Sequence, residues 1–369
     1  MKKRRENVSE TFRAKKRCRS RLGAVRSSAY GGLPALMASR LRLGFGLRRG
    51  DHATLQLAAS SSRRAGTVPR SREVVGSSQT SSTGPSVMGR LVRRPSLRRL
   101  LAVIICTYIG VTMLVGALQA KLIYFPSRTL DLTPADVGLK FDDVTLVTQD
   151  DVKISAWFVP RQDARATVLF FHGNAGNNGD RVPELKVLHS LGYAVMMVDY
   201  RGYGKSEGAP SESGTYLDAI AAWEHLTQVR GLPARRIVIM GESIGGAVAI
   251  DLARRQTPGA LIVQSSFTRL SDIAAIHYPF LPVRWLLIHR YDSIDKVGAI
   301  TCPKLFFHST DDSLVPIGNG RSLYDAAADP KQFVETPGEH NGGGFMYADE
   351  HAVKLQKFID SAMAADPEN

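Results

Sequence analysis

Five short apolar runs, most of them trailed by a helical stretch, constrain this chain more than anything else in it. The runs are Ala166–Phe171, Ala194–Val198, Ile237–Met240, Leu261–Val263 and Lys304–Phe307. Strands that are apolar on both faces belong in a parallel sheet covered by helices on each side. Helical stretches are expected over 213–229, 244–256, 318–328 and 347–363. Parallel neighbours need crossovers of at least a dozen residues, and units of about 25–40 residues supply them. Before these units, Val144–Val147 and Val152–Val159 flank Gln149-Asp150-Asp151, which predicts a hairpin. The fold class is therefore α/β, with a mostly parallel sheet in one domain over 120–364.

Upstream of that domain the composition changes. The net charge is +14, but residues 1–99 hold 24 Lys+Arg against 4 Asp+Glu, and the remainder holds 24 against 30. The basic excess thus sits in a tail without periodicity, which argues against nucleic acid as a partner of the folded part. Residues 1–87, rich in Arg, Ser and Gly, read as a disordered basic tail. The same composition fits an organelle transit peptide. The preferred reading makes Met88 the start, because a tidier targeting segment opens there. Arg90, Arg93, Arg94, Arg98 and Arg99 form a basic flank over 88–99. An uncharged run from Leu100 to Leu118 follows, and its nineteen residues would span about 28 Å as a helix, close to a bilayer core. Val115-Gly116-Ala117 is a poor signal-cleavage site, so an uncleaved anchor is expected. The arginines before it predict that the N-terminus stays inside and that the α/β domain emerges on the extracytoplasmic face, periplasmic in a bacterium. Cys18, Cys106 and Cys302 show no metal-site spacing and read as inert thiols.

The chemistry centres on Gly241-Glu242-Ser243-Ile244-Gly245, between the strand 237–240 and a helix. A serine hydroxyl is a poor nucleophile and must be exposed and activated. A sharp strand-to-helix turn exposes it, and flanking glycines keep neighbouring side chains out of the way. The helix that follows aims its first amides at the site, so the Ile244 N–H is a candidate oxyanion donor. A second pentapeptide, Gly204-Lys205-Ser206-Glu207-Gly208, fits the same expression but is followed by Ala209-Pro210-Ser211, which is loop. Ser206 is assigned to a surface turn.

A catalytic serine needs a base and the base needs a carboxylate. His340 lies in the Gly-rich loop Pro337-Gly338-Glu339-His340-Asn341-Gly342 before the last helix. His308 ends a strand and reads as a structural hydrogen-bonder, and His351 reads as a surface residue of the last helix. Asp312 follows the strand 304–307, with Asp311 as the alternative. The order Ser243, Asp312, His340 is that of hydrolases whose serine sits on a strand-to-helix turn. The second oxyanion donor is placed at the Asn174 N–H, in the loop Phe171-His172-Gly173-Asn174-Ala175-Gly176-Asn177. A metal role for His172 is disfavoured, since no partner ligands stand at metal spacing.

With Leu122-Ile123-Tyr124-Phe125-Pro126, the 171–177 loop, Asp199-Tyr200-Arg201-Gly202-Tyr203-Gly204-Lys205-Ser206 and the serine turn in that order, residues from about 120 to 364 resemble the α/β-hydrolase superfamily. The resemblance is to its membrane-anchored serine hydrolase branch, which includes protein-depalmitoylating enzymes. It implies the α/β-hydrolase fold, hydrolysis of small-molecule or acylated esters or thioesters, and no cofactor. Two departures stand out: Ser309 replaces the glycine usual after His308, and Glu339 replaces a small residue usual before His340. Peptidase activity is the enzymatic alternative, and a non-catalytic membrane scaffold is the alternative of another class. The segment from Ser265-Ser266 to about Lys296 is too short for a large cap and is expected to be a short lid. Its Phe267, Tyr278, Phe280, Trp285 and Tyr291 would either pack it onto the body or line an acyl pocket.

Overall fold

The computed structural model describes residues 96–340 and 349–364. The expected tail, its candidate start at Met88 and most of the basic flank lie outside them. Helix α1, Leu97–Ile123, is 27 residues long. It is longer at both ends than the uncharged run and reaches about 40 Å at 1.5 Å per residue. It is long and apolar enough to cross a membrane, and its apolar window is not buried within the protein.

The body is an eight-stranded sheet in the order β10-β9-β8-β7-β4-β6-β3-β2. The strands are β2 (Asp142–Val147), β3 (Lys153–Val159), β4 (Thr167–Phe171), β6 (Ala194–Val198), β7 (Ile237–Glu242), β8 (Ala260–Gln264), β9 (Lys304–Ser309) and β10 (Lys331–Thr336). β3 pairs antiparallel with both β2 and β6, while the remaining pairs are parallel. The hairpin and the five apolar runs are therefore strands, as expected. β10 was not foreseen. Its sequence, Lys-Gln-Phe-Val-Glu-Thr, is that of an edge strand, with only Thr336 fully buried. A second element, the two-stranded pairing of β1 (Phe125–Pro126) with β5 (Ala175–Gly176), was also not foreseen.

Alternation along each strand divides the core. In β4, Leu169 and Phe171 join one apolar cluster, and Val168 and Phe170 join the other. The first cluster is closed by α3 (Glu212–Glu224) and α4 (Ile244–Arg255). The second is closed by α2 (Val182–Ser190) and α9 (Asp349–Ala364). Helices thus cover both faces, as the continuous apolar strands require. His351 is buried at 3% exposure, contrary to the surface position expected of it. It sits beside Leu355 on the sheet-facing stripe of α9, one turn away, and a half-polar helix hides that phase from a local reading.

Ser206 is also buried, not on the surface. The turn after β6 folds back on β3. The Ser206 hydroxyl accepts from the Ser155 N–H at 2.8 Å and donates to the Asp199 carbonyl at 2.7 Å. It therefore stands in for a ladder partner where the β3–β6 pairing ends. Arg201 fixes the same turn, pairing with Asp150 of the hairpin at 2.7 Å and with Asp218 of α3 at 2.9 Å. Cys302 is buried, and burial pushes its thiol up to about 11, which makes it a poor nucleophile.

Replacing Ser206 by alanine leaves one buried N–H and one buried carbonyl without partners, each costing about 1–3 kcal/mol. Ser206→Ala is expected to lower unfolding stability by about 2–6 kcal/mol, read as a lower urea midpoint at unchanged m value.

Candidate active site

Ser243 sits between β7 and α4 with φ 56° and ψ −116°. That region strains any residue with a side chain, and here the surroundings enforce it. The Ser243 N–H donates to the Gln264 carbonyl at 2.8 Å, and the Ser266 hydroxyl donates to the Ser243 carbonyl at 2.8 Å. A Cβ on Gly241 would come within 2.1 Å of the Gly245 carbonyl oxygen, and one on Gly245 within 2.2 Å of the Phe171 carbonyl oxygen. Both contacts are with backbone, which cannot step aside. The flanking glycines therefore let α4 press against β7 and β4 and push the serine out at the sheet edge.

The three side chains chosen from sequence converge there. His340 Nε2 lies 3.1 Å from Ser243 Oγ, and His340 Nδ1 lies 2.7 Å from Asp312 Oδ2. The Asp312 side chain is wholly buried. Its other oxygen accepts the N–H groups of Leu314 and Val315 at 3.1 and 2.7 Å. This leaves Oδ2 directed at the imidazole. Asp311, the alternative carboxylate, points elsewhere and accepts the Gly338 N–H at 2.9 Å. His308 is a structural hydrogen-bonder, as expected: its Nε2 lies 2.8 Å from the Val315 carbonyl oxygen. Burial holds the His308 imidazole below its ordinary range, which favours the neutral ring donating that bond.

Two residues that depart from the family pattern act on the His340 loop. Ser309 donates to the Gly338 carbonyl, and Glu339 accepts from the Ser313 hydroxyl at 2.8 Å. With Asp311 they tie the loop carrying His340 to the loop carrying Asp312.

The loop after β4 runs past the serine. A Cβ built on Gly173 would stand 3.7 Å from Ser243 Cβ. Neither the Asn174 nor the Ile244 N–H is used in a turn, loop or cap hydrogen bond among the described residues. The loop's carbonyls, by contrast, are held from behind. Tyr200 donates to the His172 carbonyl at 3.0 Å, and Tyr203 donates to the Asn174 carbonyl at 2.7 Å. The Phe125 N–H also donates to the Asn174 carbonyl at 3.0 Å, and the Asn174 side chain donates to the Ile123 carbonyl at 2.8 Å. The Asn174 carbonyl and side chain are thus held by other groups, while its N–H makes no turn, loop or cap bond. His172 is fully buried, packed 4.7 Å from the Tyr200 ring and 5.2 Å from the Tyr203 ring between centroids. Its role is to pack the loop.

The lid aromatics divide. Phe267 and Tyr291 are buried in the body, whereas Phe280 and Trp285 are 62% and 91% exposed. Packing of the lid thus explains the first two and leaves the last two outside.

Among known proteins, residues 162–291 match the family model described as serine aminopeptidase, S33. An α/β-hydrolase domain-containing protein of Arabidopsis thaliana, WAV2, is 35% identical over 288 residues, covering 70% of this chain and 93% of that protein. A lysophosphatidylserine lipase of Danio rerio, ABHD12, is 34% identical over 296 residues, covering 66% of this chain and 77% of that protein. An esterase of Pyrococcus furiosus superposes with a TM-score of 0.57 over 65% of this chain and 98% of its own, at 21% identity, which speaks for the fold alone. With the strand-to-helix serine turn, the sheet order and relatives matched over most of their length, the chain belongs to the α/β-hydrolase superfamily and is a hydrolase of that family.

Proposed function

We propose that this protein is a membrane-anchored serine hydrolase that cleaves carboxyl esters or thioesters through an acyl-enzyme. The observation that carries the reading is the unbroken Ser243–His340–Asp312 chain of contacts at 3.1 and 2.7 Å. Ser243 Oγ attacks the substrate carbonyl carbon while its proton passes to His340 Nε2. Asp312 holds the imidazole in the tautomer with Nδ1 protonated and stabilises the imidazolium that forms. Negative charge on the carbonyl oxygen falls to the Asn174 and Ile244 amides, the latter at the positive end of α4. His340 returns the proton to the leaving alcohol or thiol. Water, deprotonated by the same imidazole, then attacks the acyl-enzyme and releases the acid.

The family model's description favours a second reading, an aminopeptidase. Such an enzyme needs a carboxylate facing the substrate's amine. The described carboxylates beside the site are engaged: Glu242 with Arg181 at 3.2 Å, Asp311 with the Gly338 amide at 2.9 Å and Glu339 with the Ser313 hydroxyl at 2.8 Å. Ester or thioester substrates demand no such group. The lipase name of the zebrafish relative and the long apolar helix α1 support an amphiphilic acyl substrate. Arg98 and Arg99, in the first turn of α1, and the arginines before them precede the uncharged run Leu100–Leu118, while Lys121 and Arg128 are the nearest cations after that run. That bias supports a catalytic body outside the cytoplasm.

Ser243→Ala is expected to abolish labelling by a fluorophosphonate probe. Ser206→Ala, though destabilised, should still label while folded. Labelling that survives the loss of Ser243 sinks the reading. Asp312→Asn should lower turnover of a p-nitrophenyl ester about 10³–10⁴-fold, because the wrong tautomer results. Asp311→Asn should cost far less, and the reverse ranking would move the acid to Asp311. For orientation, a C-terminal tag on cells with an exposed anchor membrane should be digested by added protease. Protection of the tag until the membrane is broken would place the enzyme on the cytoplasmic side.

A further inference from the structure

The lid segment from Ile276 to Ile288 leans on the anchor helix. The Tyr108 hydroxyl donates to the Phe280 carbonyl at 3.0 Å, and Gln119 Oε1 accepts the Ile288 N–H at 2.8 Å. Between them, a Cβ on Gly116 would lie 2.7 Å from Leu286 Cδ1. The segment from Phe280 to Ile288 therefore runs alongside α1 in the same direction, from the level of Tyr108 to the level of Gln119. Gly116 and Tyr108 are eight residues apart in one helix, so Phe280 lies roughly 12 Å further along the axis than Leu286. Half of a bilayer's hydrocarbon core is about 15 Å thick.

The lid's outer surface is apolar. Ile276, Phe280, Trp285 and Ile288 are 52%, 62%, 91% and 76% exposed. Exposed apolar clusters of this kind mark an interaction site in a soluble protein. Here the cluster is continuous with the equally exposed face of α1, which carries Ile104, Ile105 and Ile109 at about half exposure. The lid backbone is also prepared for an apolar medium, where unpaired N–H groups are costly. The N–H groups of Leu281, Val283, Trp285, Leu286 and Leu287 close within the lid, and Pro279 and Pro282 have none to satisfy. The one charged side chain within the segment besides its histidine, Arg284, stands next to Trp285 at the shallow end and pairs with Asp272 at 3.5 Å. An arginine beside a tryptophan suits the headgroup level, where both side chains are enriched or can snorkel.

We infer that residues 276–288 are inserted into the bilayer leaflet that the catalytic body faces, with Phe280 reaching acyl-chain depth and Trp285 lying near the headgroups. The inference rests on the reading of α1 as the membrane anchor but not on the hydrolytic reaction. The occupant of the surface is lipid: its apolar residues continue a surface that already lies in the membrane, and its depth matches one leaflet.

The test uses the full chain in phosphatidylcholine vesicles carrying lipids brominated near the glycerol end or near the methyl end of the acyl chain. Trp157 and Trp223 are buried in the body and supply a constant background. Wild-type tryptophan emission should be quenched by the glycerol-end bromines, and Trp285→Phe should lose that quenching. Phe280→Trp in the Trp285→Phe background should be quenched more by the methyl-end bromines. Tyr108→Trp in the same background reports on the anchor alone. Quenching at Tyr108→Trp without quenching at positions 285 and 280 would overturn the inserted lid while leaving the anchor. No quenching at any of the three would overturn both. Trp285 shielded from lipid bromines and from aqueous acrylamide alike would mean that a second copy of the chain covers the lid, and would equally overturn the inference. Ester turnover is not a readout, so the hydrolase reading stands or falls separately.

Discussion

The structure depends on the contact between the start of α4 and the strands beneath it. Because Gly241 and Gly245 offer no Cβ, the helix backbone approaches β7 and β4 to distances that no other residue allows. That approach forces Ser243 into its left-handed conformation and lifts its hydroxyl clear of the sheet. It also brings the Ile244 amide to the same edge as the loop after β4. The strain is held by the Ser243 N–H bond to Gln264 and by the Ser266 hydroxyl on the Ser243 carbonyl. Both partners belong to β8 and its following turn. The reactive geometry is thus stored in the packing of three adjacent strands and one helix.

A second junction joins helix α1 to the site. The last turn of α1 ends at Ile123, whose carbonyl takes the Asn174 side chain, and the next residues form β1 against β5. Asn174 therefore has two polar tasks: its side chain caps the end of α1, and its carbonyl is gripped by Tyr203 and Phe125. The lid is tied to the same helix one and more turns earlier, through Gln119 and Tyr108. Helix α1, the loop after β4 and the lid are consequently tied to one another by these hydrogen bonds.

The sheet was legible because strands buried on both faces must be apolar throughout, and such runs stand out in Ala194–Val198 or Ile237–Met240 without any knowledge of neighbours. β10 did not stand out, because an edge strand may alternate freely and Lys331–Thr336 is mostly half-exposed. The convergence of Ser243, Asp312 and His340 was legible for a different reason. Ser243 and Asp312 follow foreseen strands and His340 lies in a Gly-rich loop before the last helix, so chain order and loop placement narrowed the choice among nine histidines. Ser206 and His351 were misplaced because their burial comes from contacts made far along the chain, with Ser155 and with the sheet surface under α9.

By itself the sequence determined the alternation of strand and helix, the apolar span long enough for a bilayer, and the serine turn whose glycines have only one good use. Those are local properties, written in periodicity, length and the absence of a Cβ. Tertiary structure alone decided which of Asp311 and Asp312 faces the imidazole, since the two are adjacent and chemically equal. Only the path of the loop after β9 turns Asp312 inward, where the Leu314 and Val315 amides and His340 share its carboxylate. It alone also set the lid against helix α1, because that contact joins residues about 170 positions apart that carry no mutual signal in the chain.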